Sequence, residues 1–191
     1  MSRTPSTMLD IGTRAPDFNL PDPLSGNSVK LSDYEHNPLL VVFSCNHCPY
    51  VLHLLQSFSE YAREIQKQGL SVVMINANDI ENYPQDSPEN MIELAQQYGF
   101  EFPYLYDASQ QVAIAYQAAC TPDFFLFDAS HRLVYRGQYD AARPGNDEAV
   151  TGVDLRAASQ ALLNSAAITA QQMPSMGCNI KWRAGNEPQY S

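Results

Sequence analysis

No apolar run in this chain approaches the roughly 20 residues that a membrane-spanning helix needs; the stretch Leu39 to Phe43 has five. No apolar leader segment is read at the start either: Met1 to Asp10 is polar, and Pro16, Asp17 and Asn19 interrupt the segment after it. On that reading the expected compartment is the cytoplasm. Basic residues are few, 11 against 21 acidic, for a net charge of −10. This weighs against a nucleic-acid backbone or an anionic membrane as partner, since both call for positive charge. The nine glycines never take a G-x-G-x-x-G spacing. A dinucleotide site is therefore not indicated, and no organic cofactor is expected. Cysteine is also sparse, with four residues, no second C-x-x-C and no H-x-x-H. A closed zinc site has little basis in such a pattern. In a reducing compartment four cysteines read as catalytic or metal-binding rather than as two static bridges.

The residues that are present centre on Val41-Val42-Phe43-Ser44-Cys45-Asn46-His47-Cys48-Pro49-Tyr50. An apolar run suited to a buried strand ends in Cys-x-x-Cys, and an amphipathic pattern begins at once. A helix N-terminus lowers a thiol pKa, because backbone N–H groups and the helix dipole favour the thiolate. The thiolate is the nucleophile of disulfide exchange. Redox chemistry at Cys45 and Cys48 is the first expectation.

The pattern around this motif reads as one α/β unit. A short strand within 15–20 and another at 29–31 flank the turn cluster Asp22 to Asn27. Val51, Leu54, Leu55, Phe58, Ala62 and Ile65 recur at helical spacing, so 49–68 is expected as a helix closed by Gly69. Leu70 to Ile75 is a second buried strand, and the crossover makes the pair parallel. Ser87 and Pro88 start a helix that stops at Gly99. Tyr104 to Tyr106 is a strand, 109–119 a helix, 124–127 and 133–135 a hairpin, and 154–165 a last helix. The expected organisation is a flexible start over 1–11, one domain over 12–165, and a tail over 166–191 packed on or near it.

This order resembles the thioredoxin fold in its redoxin, peroxiredoxin-like form. The likeness rests on Gly12 to Phe18, on Cys45-Asn46-His47-Cys48-Pro49-Tyr50, on Cys120-Thr121-Pro122-Asp123-Phe124-Phe125-Leu126-Phe127-Asp128, and on Tyr135-Arg136-Gly137-Gln138. It implies a mixed central sheet flanked by helices, with an N-terminal hairpin extension and a C-terminal tail. It also implies that Thr121-Pro122 is a cis-proline turn facing the two thiols. The segment Pro174 to Trp182 is similar to the tail of a bacterial subgroup of peroxiredoxin-like proteins. Two departures bear on activity. Peroxiredoxins carry a Thr three residues before the reactive Cys; here Val42 precedes Cys45 and Cys45 precedes Cys48 at that spacing. Thioredoxin has Gly-Pro between its cysteines and a buried Asp in the preceding strand; here stand Asn46-His47, and Leu39 to Phe43 holds no Asp.

Each candidate residue then has an expected role. Cys45, at the strand's accessible end, is the nucleophile, and Cys48, one turn into the helix, resolves the mixed disulfide. His47 stabilises the Cys45 thiolate or shuttles a proton, unless it is a solvated loop residue; His53 reads as a surface residue. Pro122 leaves backbone groups exposed, so that a partner peptide pairs with Thr121 as a strand. Cys120 and Cys178 are each either an additional redox thiol or a packed, inert one. Arg136 is a candidate thiolate stabiliser or a surface ion-pair former. The leading function is a thiol–disulfide oxidoreductase acting on a protein or small-molecule disulfide, with electrons from a donor such as thioredoxin or glutathione. The competing readings are a thiol peroxidase with an antioxidant role in cell redox homeostasis and a metal carrier using Cys45, His47, Cys48 and Cys120. Redoxins often pair, so a homodimer is part of what the resemblance implies.

Overall fold

The computed structural model describes residues 3–190; Met1 and Ser2, within the expected flexible start, and Ser191, at the end of the expected tail, lie outside the described residues. The elements in chain order are β1 (Arg3–Pro5), β2 (Asn19–Pro21), β3 (Ser28–Lys30), β4 (Leu39–Ser44), α1 (Pro49–Gln66), β5 (Ser71–Asn76), α2 (Pro88–Tyr98), β6 (Tyr104–Tyr106), α3 (Gln111–Ala115), β7 (Cys120–Thr121), β8 (Asp123–Phe127), β9 (Leu133–Gly137), α4 (Val153–Leu163) and β10 (Met176–Asn179).

The main sheet has the order β6-β5-β4-β8-β9. β5 runs parallel to both β4 and β6, whereas β8 is antiparallel to β4 and to β9. β4 is central and buried on both faces, which explains its unbroken apolar run. Leu40 and Val42 face a core completed by α1, α2 and α4. Leu39, Val41 and Phe43 face a second core completed by α3 and by Phe18 and Leu20 of the N-terminal hairpin β2–β3. α1 buries the six apolar positions read from its spacing, together with Ser59 and Tyr61. Pro49 opens that helix where its missing N–H costs nothing. Ser87 caps α2 by accepting from the Asn90 N–H, and Gly99 closes it in the left-handed conformation.

Three expectations differ from the structure. The helix expected over 109–119 is only Gln111–Ala115. Gln117 turns to φ +51° and the Ala118 N–H closes on Ala113 O, because the chain must swing round into β7. The start is not loose throughout: β1 pairs antiparallel with β10. The tail does more than pack on the domain. β10 lies between β1 and β7 in a second sheet, with Cys178 opposite Thr121 and Asn179 opposite Cys120.

Candidate active site

Cys45 follows β4, and Cys48 is the N-cap residue of α1. The strand–helix junction therefore sets the two sulfurs side by side. The Thr121–Pro122 peptide is cis and faces them. Thr121 Oγ1 lies 3.3 Å from Cys45 Sγ, and Thr121 O lies 3.2 Å from Cys48 Sγ. None of the four cysteines is in a disulfide, and all four are buried.

Burial corrects the expectation of an accessible Cys45, which is only 1% exposed. What covers it was not read from the sequence. A 3₁₀ turn at Pro84–Asp86 brings the buried Asp86 under the Cys-x-x-Cys loop. Asp86 Oδ1 accepts from the Asn46 N–H at 2.7 Å, and Oδ2 accepts from Asn78 Nδ2 at 2.7 Å. Asn76 Nδ2 donates to Asp86 O at 2.8 Å, and Tyr104 OH donates to Asn46 Oδ1 at 2.9 Å. His47 Nδ1 is 2.8 Å from Asp86 Oδ2, and the ring stacks on Tyr83 at 5.8 Å. His47 thus lies against Asp86 and Tyr83 and is not a free loop residue. β4 and β5 are parallel neighbours, so their C-terminal loops lie side by side. That rule alone would have pointed to the Asn76–Ser87 loop as a site wall.

The charge distribution also differs from expectation. Burial pushes the Cys45 thiol well up, and the nearby Asp86 carboxylate adds to the shift. Cys48 goes the other way, to about 5, because hydrogen bonding with the Cys45 thiol, then with the Cys178 thiol and the Val51 and Cys178 backbone, favours its thiolate. The Thr121 carbonyl opposes a negative charge on Cys48, but the donors outnumber it. Of the two, Cys48 is shifted toward its thiolate and Cys45 toward its protonated thiol.

The remaining candidates separate. Cys178 is brought in: its sulfur is 2.7 Å from Cys48 Sγ. Cys120 is not; its thiol turns toward Pro122 O at 3.6 Å, and burial and Asp123 push its pKa well up. Arg136 is corrected as a thiolate stabiliser. It lies on the edge strand β9, where its N–H and guanidinium both donate to Gln172 Oε1, at 3.1 and 2.8 Å. The edge of Thr121 where a partner peptide was expected to pair is already taken by β10. A Cβ built on Gly177 would sit 2.0 Å from Thr121 O, so only glycine allows this approach. Cys45, His47 and Asp86 place three donor atoms within 4.8 Å of one another, a different set from the metal ligands expected. The Asp86 oxygens each accept one hydrogen bond, from Asn46 and Asn78.

Comparison with known proteins identifies the family. The model described as the AhpC/TSA family matches residues 11–136. The chain is 30% identical over 125 residues to the thiol-disulfide oxidoreductase ResA of Geobacillus kaustophilus (strain HTA426), covering 65% of this chain and 67% of that protein. It is 31% identical over 116 residues to a putative peroxiredoxin of Mycobacterium tuberculosis (strain ATCC 25618 / H37Rv), covering 60% of this chain and 68% of that one. A solved structure of an uncharacterized conserved protein from Geobacillus kaustophilus superposes with a TM-score of 0.94 at 47% identity, over 96% of this chain and 97% of the other.

Proposed function

The chain belongs to the AhpC/TSA family, and from that premise we propose that it is a thiol–disulfide oxidoreductase in which Cys45 attacks and Cys48 resolves. The observation that carries this is the facing of both sulfurs and Thr121 at the end of β4. Chain position separates the roles of the two cysteines: Cys45 ends the approach from β4, and Cys48 caps α1. Cys48 is enclosed by Thr121 O and Cys178, whereas Cys45 borders the Asn46–His47 loop. As a substrate disulfide reaches Cys45, its proton passes to the Cys48 thiolate. The Cys45 sulfur bonds to one substrate sulfur and the other leaves as thiolate. Cys48 gives that proton to the departing thiolate, attacks Cys45 Sγ, displaces the first substrate sulfur and closes Cys45–Cys48. An external thiol such as reduced thioredoxin or glutathione resets the pair, and no bound cofactor takes part. The cytoplasm suits such a donor. A homodimer belongs to the same reading and is checked by sedimentation.

Trapping tests the assignment. Cys48→Ser, incubated with cell extract, is expected to hold partners as mixed disulfides through Cys45, released by dithiothreitol. Recovery of the same partners from Cys45→Ser instead would reverse the roles.

A second reading, peroxide reduction, has one observation in its favour. Thr121 Oγ1 supplies Cys45 with the neighbouring hydroxyl that the residue three positions earlier, Val42, does not. Cys45 thiolate would take one peroxide oxygen, releasing the other as water, and Cys48 would condense with the sulfenic acid to release a second water.

A further inference from the structure

We propose that Cys178 is the third member of a thiol relay, closing a Cys48–Cys178 disulfide that takes over from Cys45–Cys48. The inference rests on Cys45–Cys48 being the working pair and adds a second linkage to its cycle.

Position carries the argument. Cys178 Sγ is 2.7 Å from Cys48 Sγ, and Cys45 also hydrogen-bonds to that central sulfur. Cys48 is therefore within reach of two partners. Cys178 is held there by strand register, opposite Thr121, with Gly177 against the Thr121 carbonyl. Beyond it the chain is anchored at several points. Ile180 N–H donates to Ala119 O at 3.2 Å and Lys181 N–H to Asn78 Oδ1 at 2.8 Å. Lys181 O accepts from the Asp79 N–H at 2.8 Å and from Gln110 Nε2 at 2.9 Å. The sulfur is thus built into the site and is not on a loose end. β10 also occupies the edge along which a substrate strand would pair, so Cys178 stands where a substrate cysteine would, within the same chain.

The step is an exchange and needs no added oxidant. The Cys178 sulfur attacks Cys48 Sγ in the Cys45–Cys48 disulfide. The Cys48–Cys178 bond forms, the Cys45–Cys48 bond breaks, and its electron pair leaves on Cys45. The proton lost by Cys178 ends on Cys45. Cys45 emerges reduced, while the oxidising equivalents rest in the Cys48–Cys178 bond until an external thiol opens it.

Disulfide mapping decides the matter. Wild type, Cys45→Ser and Cys178→Ser are oxidised with diamide, alkylated, digested without reductant and read by mass spectrometry. Cys45→Ser is expected to link Cys48 to Cys178 as its main internal disulfide, with diamide accepting the two electrons and two protons. Cys178→Ser is expected to link Cys45 to Cys48, and wild type in glutathione buffer to contain both linkages. If Cys45→Ser leaves Cys48 and Cys178 alkylated while Cys178→Ser closes Cys45–Cys48, the relay is wrong and the dithiol reading stands. If neither wild type nor Cys178→Ser closes Cys45–Cys48, the reading beneath it fails as well. Should Cys45→Ser not fold, absence of the Cys48–Cys178 peptide from wild type at every glutathione ratio overturns the relay by itself.

Discussion

One negative charge among three sulfurs is the central feature at the scale of single residues. Hydrogen bonds with Cys45, Cys178 and the start of α1 favour it on Cys48, while burial disfavours it on the other two. Thiolate absorbance of the reduced protein should therefore titrate with a midpoint near 5. Cys48→Ser should abolish that transition, and Cys120→Ser should leave it. The same shift links stability to pH. A thiol near 5 when folded and near 9 when unfolded binds fewer protons in the folded state, so its contribution grows as pH rises through that window and is lost as pH falls through 5. Buried Asp123 runs opposite: its carboxyl is raised to about 7, so its contribution is lost as pH rises from about 4 to 7. Between pH 7 and 9 only the cysteine effect remains of these two. Reduced wild type should gain on the order of 1–3 kcal/mol over Cys48→Ser across that interval in urea unfolding; a flat difference would place the charge elsewhere.

Among the elements, the loop under the thiols and the strand beside them can be tested separately. Asp86→Ala strips partners from Asn46, Asn78 and His47 at once. A loss of about 2–4 kcal/mol is expected, together with faster alkylation of Cys45; unchanged alkylation would mean that the loop does not shield it. Gly177→Val drives a side chain into Thr121 O and should dislodge β10 at a cost of about 1–3 kcal/mol. Circular dichroism and protection of Cys178 from alkylation report it. These two elements also mark where the sequence stopped being legible. β4, α1, α2 and the β8–β9 hairpin carry local signals (apolar runs, helical spacing, caps), and they form as read. β1 and β10 are short, carry no periodicity, and form through long-range pairing, β1 with β10 and β10 with β7. Asp86 is 41 residues from Cys45, and no spacing rule ties them; only the parallel β4–β5 pairing brings its loop to the site. Cys45, Cys48, Thr121 and Pro122 were readable because motif and fold coincide there, whereas the destination of Arg136 depended on a tail without pattern.

For the whole molecule, a sheet with a core on each face holds the Cys45 and Cys48 sulfurs at one end of its central strand. The two chain ends then close over that end through β1 and β10. The reduced site is consequently shut, and reactivity depends on what can reach Cys45 past the Asn46–His47 loop. Stopped-flow mixing of reduced wild type and Cys45→Ser with a protein disulfide and, separately, with hydrogen peroxide tests the account most directly. Rapid disulfide reduction, slower peroxide consumption, and loss of both in Cys45→Ser are expected. Disulfide reduction that survives in Cys45→Ser would contradict it, and fast peroxide turnover with negligible disulfide reduction would hand the site to the peroxidase reading.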